Sequence, residues 1–191
     1  SADPTVDLSQ FDIEDRYDLD GDGDYWEPDG LVDHVMVFHS SVGDEAGGGQ
    51  LGTDAIWSHR WNVGSPYAIP GTSTDTDFLG LGAMGLYDYT IAPIDAAVGV
   101  ISHEYGHDLG LPDEYDTQYT GRGEPVSSWS IMSSGSWAGR IGGTEPSGFS
   151  AWCKEQLQGS MGGNWLHGAT VHIDDLTAAG VTGLLDQASS K

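Results

Sequence analysis

Residues 101–113 read Ile-Ser-His-Glu-Tyr-Gly-His-Asp-Leu-Gly-Leu-Pro-Asp, placing two histidines four apart with a glutamate directly after the first. Four residues is about one helical turn, so on a helix the His103 and His107 imidazoles project from one face and can hold one zinc ion. Glu104 falls roughly 100° further round. It is then near such a metal without being in line with the two ligands, which suits a base acting on a zinc-bound water. Gly110 lets the chain leave the helix through a positive-φ turn. Asp113, three residues on, could return a carboxylate oxygen to the metal. Three protein ligands and one open position describe a catalytic zinc, because a structural site fills all four.

The His-Glu-x-x-His pattern alone arises by chance on ordinary helices, and its surroundings carry more weight. The spacing predicts one helix over residues 93–109, with Pro93 in the first turn, Asp95 against the N-terminal dipole and Gly110 as the stop. Ile94, Ala97, Val98, Ile101 and Tyr105 line one face, while Ala96 and Val100 continue the histidine face. A first half apolar nearly all round predicts a buried helix. Polar side chains at its end are costly unless a metal or hydrogen bonds compensate them. Two acids compete with Asp113 as third ligand. Glu114 adjoins it; Glu124 would need a helix where Gly121, Gly123 and Pro125 disfavour one. Asp113 is the better candidate.

Residues 18–29 read Asp-Leu-Asp-Gly-Asp-Gly-Asp-Tyr-Trp-Glu-Pro-Asp. Taken as a calcium loop, Asp18, Asp20 and Asp22 fall at positions 1, 3 and 5, and Gly23 supplies the turn at 6. Asp24 occupies position 7, where the backbone carbonyl ligates, and Asp29 position 12, where glutamate is usual. Four aspartates within seven residues repel one another unless a cation is present. The competing reading is a solvated Asp/Gly-rich loop. Pro28 and Asp29 depart from a helix–loop–helix hand, so the expected calcium is structural rather than regulatory.

With these residues in place a resemblance emerges. His103-Glu104-x-x-His107-x-x-Gly110-x-x-Asp113 is similar to the extended zinc motif of the metzincin clan, with aspartate replacing the more usual third histidine. Together with the Leu-Pro-Asp-Glu-Tyr-Asp run at 111–116 and the Trp-Ser-Ile-Met-Ser-Ser-Gly-Ser-Trp run at 129–137, it resembles the immune inhibitor A family of secreted bacterial metallopeptidases. The similarity runs from about residue 18 to about residue 165. It implies a metzincin-like α+β catalytic module: a short mixed sheet packed on a buried active-site helix, then an irregular C-terminal subdomain with one helix. It implies that Met132 lies in the clan's methionine-containing turn, an apolar floor under the metal-binding imidazoles. Some clan members carry a transition-state tyrosine two residues after that methionine. Ser134 stands there in this chain, leaving Tyr115, Tyr119 and Arg122 as substitutes. The resemblance further implies protein or peptide substrates, a secreted protein, and a cleft-rim edge strand that pairs with extended substrate. A strand and supporting helix that precede this region in the family are not found here. The chain is therefore expected to be a fragment of a longer precursor, with an N-terminal segment or further domains elsewhere.

A chain of 191 residues suffices for one domain, read as an upper subdomain over 1–110 and a lower one over 111–191. Thirty acids against six Lys and Arg, a formal charge of −24, exclude nucleic acid and anionic membrane as partners. No apolar run reaches transmembrane length. Cys153 is the only cysteine, so no internal disulfide forms, and it reads as a small buried side chain. Strands are expected over 33–39, inside a sheet, and over 55–61 and 85–91, with 62–81 mostly loop and a closing helix over 148–157. His34 and His39 read as hydrogen-bonded core or rim residues, and 169–174 as a terminal strand. The combined reading is a zinc endopeptidase: one catalytic Zn²⁺ on His103, His107 and Asp113, Glu104 as base, and structural Ca²⁺ on the acidic loop. The alternative is a calcium-stabilised extracellular binding or adhesion module whose zinc site is structural or vestigial.

Overall fold

Runs rich in Val, Tyr, Trp and Thr build the sheet, as their stiff or broad side chains favour extended backbone. The computed structural model describes residues 5–162 apart from residue 122. Its strands are β1 (Met36–His39), β2 (His59–Ala68) and β3 (Gly85–Pro93). They form a mixed three-stranded sheet in the order β1-β3-β2, with β1 parallel and β2 antiparallel to β3. Central β3 buries Asp88, Thr90 and Ala92 at every second position, the period of a pleated strand.

The sheet departs from its sequence-level outline in three ways. His34 has φ +52, a left-handed conformation that cannot continue a strand, so β1 begins at Met36 rather than residue 33. β1 is an edge strand among the described residues and leaves Val37 and Phe38 exposed, where an interior strand was expected. β2 starts at His59 and continues to Ala68 through the stretch expected to be loop, accommodated by a register irregularity between Asn62 and Tyr67.

The acidic N-terminal segment is more than surface. Buried Asp12 accepts from the Asp29 and Gly30 N–H groups, and Asp33 accepts from those of Ile13 and Glu14. Tyr17 Oη donates to Asp88 at 2.6 Å, and Arg60 and Arg16 also face that carboxylate. A buried carboxylate on the central strand is thus paired and hydrogen-bonded, the condition for tolerating it.

The chain divides into two compact units, Ser1–Ile94, which holds the sheet, and Asp95–Lys191. In the second unit, α1 (Val98–Asp108) and α2 (Ala151–Met161) flank irregular chain. α1 starts five residues later than the sequence predicted. Pro93 ends β3 opposite His39, whose carbonyl accepts the Ile94 N–H at 2.9 Å, so the chain stays in the sheet through Pro93 and turns at Ile94 and Asp95 before α1. The predicted all-round apolar burial also fails: Ile94 is 74% and Val98 52% exposed, and the buried residues of α1 are Gly99, Val100, Glu104, Gly106 and Asp108. Glycine lets the helix approach backbone closely. The Gly99 N–H, one of the donors a helix N-terminus leaves over, donates to Gly143 O at 2.8 Å.

The core of this unit is Leu111, Ile131, Met132, Cys153 and Leu157, with Leu109, Phe149 and Met161 packed against it. α2 is capped by Ser150, whose Oγ accepts the Cys153 N–H at 3.0 Å. Trp152, expected on its inner side, is exposed. Burial pushes the Cys153 thiol up to about 11, which leaves it protonated and inert. No helix among the described residues is long and apolar enough to cross a membrane. The strand expected over 169–174 lies outside the described residues.

Candidate metal centre

The pitch of α1 sets His103 and His107 side by side, with ring centroids 4.7 Å apart and ring planes at 84°. Each ring is held from behind. His103 Nδ1 lies 2.7 Å from Ile131 O, and His107 Nδ1 lies 2.8 Å from Leu111 O. A carbonyl can only accept, so each Nδ1 carries the hydrogen and each Nε2 presents a lone pair. Gly110, at φ 89, turns the chain back at the end of α1, and the Leu111 N–H donates to Gly106 O at 3.0 Å. That reversal delivers Asp113, whose Oδ1 stands 3.2 Å from His103 Nε2 and 3.1 Å from His107 Nε2.

These atoms converge without bonding one another. Asp113 Oδ1 is buried and lacks a hydrogen-bond partner, although two ring nitrogens flank it. Two lone pairs facing a carboxylate oxygen repel unless a cation lies among them. In a tetrahedral zinc site with bonds of about 2.0–2.2 Å, ligand atoms stand about 3.3–3.6 Å apart, close to the spacing observed here. The donor set, two neutral imidazoles and one carboxylate, fits zinc. Without a metal, protonated rings can take its place: burial opposes ionisation of Asp113, yet hydrogen bonds and positive charge from the imidazoles in that form outweigh it and hold its carboxyl well below the usual range. For His107, burial favours the neutral ring, but Asp113 and the Leu111 carbonyl overcome it and raise the pKa. Protons therefore compete with a metal for this ring.

Glu104 is buried on α1 between the two histidines in sequence, and its charge contributes to the upward shifts of both His107 and Tyr115. That places its carboxylate within electrostatic reach of the metal locus. Tyr115 stacks on His103 with ring centroids 6.3 Å apart. Burial and then the Asp113 charge push its phenol up to about 12, keeping it a donor. Tyr119 is 84% exposed, Ser134 donates to Glu124, and Arg122 lies outside the described residues.

Met132 is fully buried directly beneath α1: a Cβ added at Gly106 would stand 2.3 Å from its Sδ. Glu114, the rival ligand, is engaged elsewhere. Its N–H donates to Met132 O at 2.7 Å, and its carboxylate accepts from Ser130 Oγ and, at 2.7 Å, from Ser150 Oγ. One side chain thus ties the ligand loop to the turn that holds His103 and to the cap of α2. Sequence reasoning missed this network, for which the signal was a serine at each of the two anchor points.

In the acidic loop the structure brings carboxylate oxygens of Asp18, Asp20 and Asp22 within 4.8 Å of one another. It does not bring the Asp29 carboxylate into that group, nor that of Asp24, whose expected ligand is its backbone carbonyl. Asp24 Oδ1 accepts the Trp26 N–H at 3.0 Å, and buried Asp29 turns its Oδ1 to the Leu31 N–H at 2.7 Å. A second group, Asp15, Asp20 and Glu27, meets the same distance criterion. Asp15 and Glu27 were missed because a calcium-loop register counts forward from Asp18 and assigns neither.

A family model described as the catalytic domain of immune inhibitor A peptidase M6 matches residues 1–166. The pre-pro-metalloprotease PrtV of Vibrio cholerae serotype O1 (strain M66-2) is 61% identical over 178 residues, covering 93% of this chain and 19% of that protein. Immune inhibitor A of Bacillus thuringiensis subsp. alesti is 55% identical over 193 residues, covering 100% of this chain and 28% of that protein. The chain spans less than a third of the length of either relative.

Proposed function

This chain belongs to the immune inhibitor A (M6) peptidase family, and from that premise we propose that it is the catalytic module of a secreted zinc endopeptidase acting on protein substrates. The observation that carries the reading is the buried, unpartnered Asp113 Oδ1 facing two imidazole nitrogens whose lone pairs are exposed to it. A zinc ion held by His103, His107 and Asp113 would supply Lewis acidity, polarising a peptide carbonyl and lowering the pKa of water from about 15.7 towards 7.

The side chains have separate tasks. Glu104, buried on α1, accepts the proton of the attacking water and passes it to the leaving amine. Tyr115 stays protonated beside His103 and is the hydroxyl best supported as donor to the developing oxyanion. The Ile131 carbonyl holds the His103 ring from behind, and Met132 packs beneath α1 at Gly106, in the manner of a metzincin-like floor. Asp113, Glu114 and Tyr115 also line an open groove with Pro125, Val126 and Trp152, which offers room for a substrate chain.

The test is digestion of casein together with zinc analysis. Glu104→Gln should retain the metal and lose at least about 10²-fold in hydrolysis. Tyr115→Phe should lower kcat with zinc content unchanged. Near-full hydrolysis by zinc-loaded Glu104→Gln sinks the proposal, and so does a wild-type protein that takes up no zinc.

A further inference from the structure

We propose that Trp152 is a specificity-determining residue, one wall of a pocket that receives a large apolar side chain, aromatic or long aliphatic, of the peptide held at the metal centre. The inference rests on the endopeptidase reading above and adds to it the class of residue that the site selects.

α2 packs into the core through Cys153 and Leu157, four residues apart and both fully buried. Trp152, about 100° from Cys153 round the helix, lies off that stripe and is 45% exposed. Exposure alone decides nothing, since Trp129 and Trp137 are exposed as well. What separates Trp152 from them is its position: it lines a cavity of about 660 Å³ that Asp113 and Tyr115 also line. Cavities of about 300–1,000 Å³ are the size of ligand pockets. A chain of bonds fixes the tryptophan relative to the metal locus. Glu114, next to Asp113, accepts from Ser150 Oγ at 2.7 Å, and that hydroxyl oxygen in turn accepts the Cys153 N–H at 3.0 Å. Trp152 thus stands two residues beyond a serine bonded to the neighbour of a metal ligand. Pro125 and Val126, on the same lining, follow Glu124, whose carboxylate accepts from Ser134 Oγ. Both segments are held without a substrate, as in a preformed pocket.

The chemistry of the lining sets what fits. Trp152, Pro112, Pro125 and Val126 supply apolar walls. The carboxylates have work within the protein: Glu114 bridges two serines, and Asp116 accepts the Gln118 N–H at 3.2 Å and a bond from Thr120 Oγ1 at 2.8 Å. No Lys, Arg or His is among the described residues of the lining, so an acidic side chain would face these carboxylates without a basic partner there. An apolar side chain covers the tryptophan and the prolines and frees their water, and an aromatic one also stacks on the indole. A small side chain leaves those walls wet.

Quenched-fluorescent peptides that differ only in the residue on one or the other side of the cleaved bond test this on the zinc-loaded protein. Calorimetry follows binding of the same peptides to zinc-loaded Glu104→Gln. At one of the two positions, wild-type kcat/KM should be at least about tenfold higher for Phe and Leu than for Ala, Arg or Glu. Glu104→Gln should bind the Phe and Leu peptides tighter in the same order. Trp152→Ala, alone and in the Glu104→Gln background, should cut both preferences to about threefold or less, and Trp152→Phe should keep most of them. Where Trp152→Ala does not fold, Val126→Asp, which puts a charge on the same lining, should have the same effect. Peptides that bind Glu104→Gln with this preference but are not cut by the wild type count against the endopeptidase reading and not against the pocket. No apolar preference at either position, a preference for Arg or Glu, or an apolar preference that survives these substitutions overturns the assignment.

Discussion

Replacing Gly99 by alanine and Gly106 by alanine should separate two roles that glycine plays in one helix. A Cβ at Gly99 would stand 1.9 Å from Ser136 O, 2.9 Å from Ser136 C and 3.0 Å from Gly143 O, all backbone atoms that cannot rotate away. Ordinary contact begins near 3.4 Å, so α1 or the Ser134–Trp137 turn must yield by about 1.5 Å. Overpacking of this kind costs about 1–3 kcal/mol, and loss of the Gly99 N–H to Gly143 O bond adds about 1 kcal/mol. Gly99 lies in the first helical turn, where alanine's interior advantage of about 1 kcal/mol is only partly available. After that partial offset the net loss is about 1.5–3.5 kcal/mol, or about 3–14 °C in Tm for a chain of this size. At Gly106 the new Cβ meets Met132 Sδ at 2.3 Å and Phe149 Cε1 at 3.3 Å, the ends of side chains. Methionine can turn aside, and here the full helical gain applies, so the stability change should stay within about 1 kcal/mol. Displacing Met132 should nevertheless weaken zinc binding. Thermal melts by circular dichroism, with and without chelator, read both effects. A Gly99→Ala protein that melts at or above wild type, or a Gly106→Ala protein that loses more stability than Gly99→Ala, refutes the reasoning.

Two further outcomes follow from the site and the acidic segment. Glu114→Ala removes the acceptor of Ser130 and Ser150 and should lower zinc affinity about tenfold or more, with a shifted d–d spectrum in the Co²⁺-substituted protein. Ser150→Ala, which unseats only the α2 cap bond and one contact, should lower Tm with that spectrum unchanged; an unaltered spectrum in Glu114→Ala counts against its positioning role. In calcium-free buffer, burial raises the Asp29 carboxyl to about 7 and Asp33 to about 6, against an ordinary 3.8. Because the folded pKa is the higher one, their stabilising contribution is full below about 3.8 and is lost as pH rises through 6 to 7. Asp29→Asn, which keeps an acceptor for Leu31, should therefore flatten much of the decline in Tm between pH 5 and 8. An unchanged slope would show that Asp29 does not carry it.

The clustering of the candidate metal centre was legible because its information is local. A four-residue spacing and a glycine three before Asp113 determine where those side chains can go once α1 forms. The edges of the elements were harder to read because tertiary pairing decides them. Pro93 looks like the first turn of a helix until β1 holds it extended, and His34 looks like strand until its left-handed backbone is seen. The burial of α1 was misjudged for a related reason: hydrophobic periodicity locates large side chains, whereas this helix buries glycines against carbonyl oxygens. Asp15, Glu27 and Glu114 escaped because each acts on partners at separations that no fixed register supplies.

The carbonyls behind the two imidazoles lie at unequal distances along the chain. His107 takes its restraint from Leu111, four residues on, and His103 from Ile131, 28 residues on. A growing or refolding chain that has wound α1 thus sets one ring almost at once, while the other stays free to spin until a long loop closes. If the site holds zinc as proposed, competence to capture it is in this way a late event, reached only after the 130s have docked. A half-made protein consequently offers stray transition metals little more than one oriented imidazole.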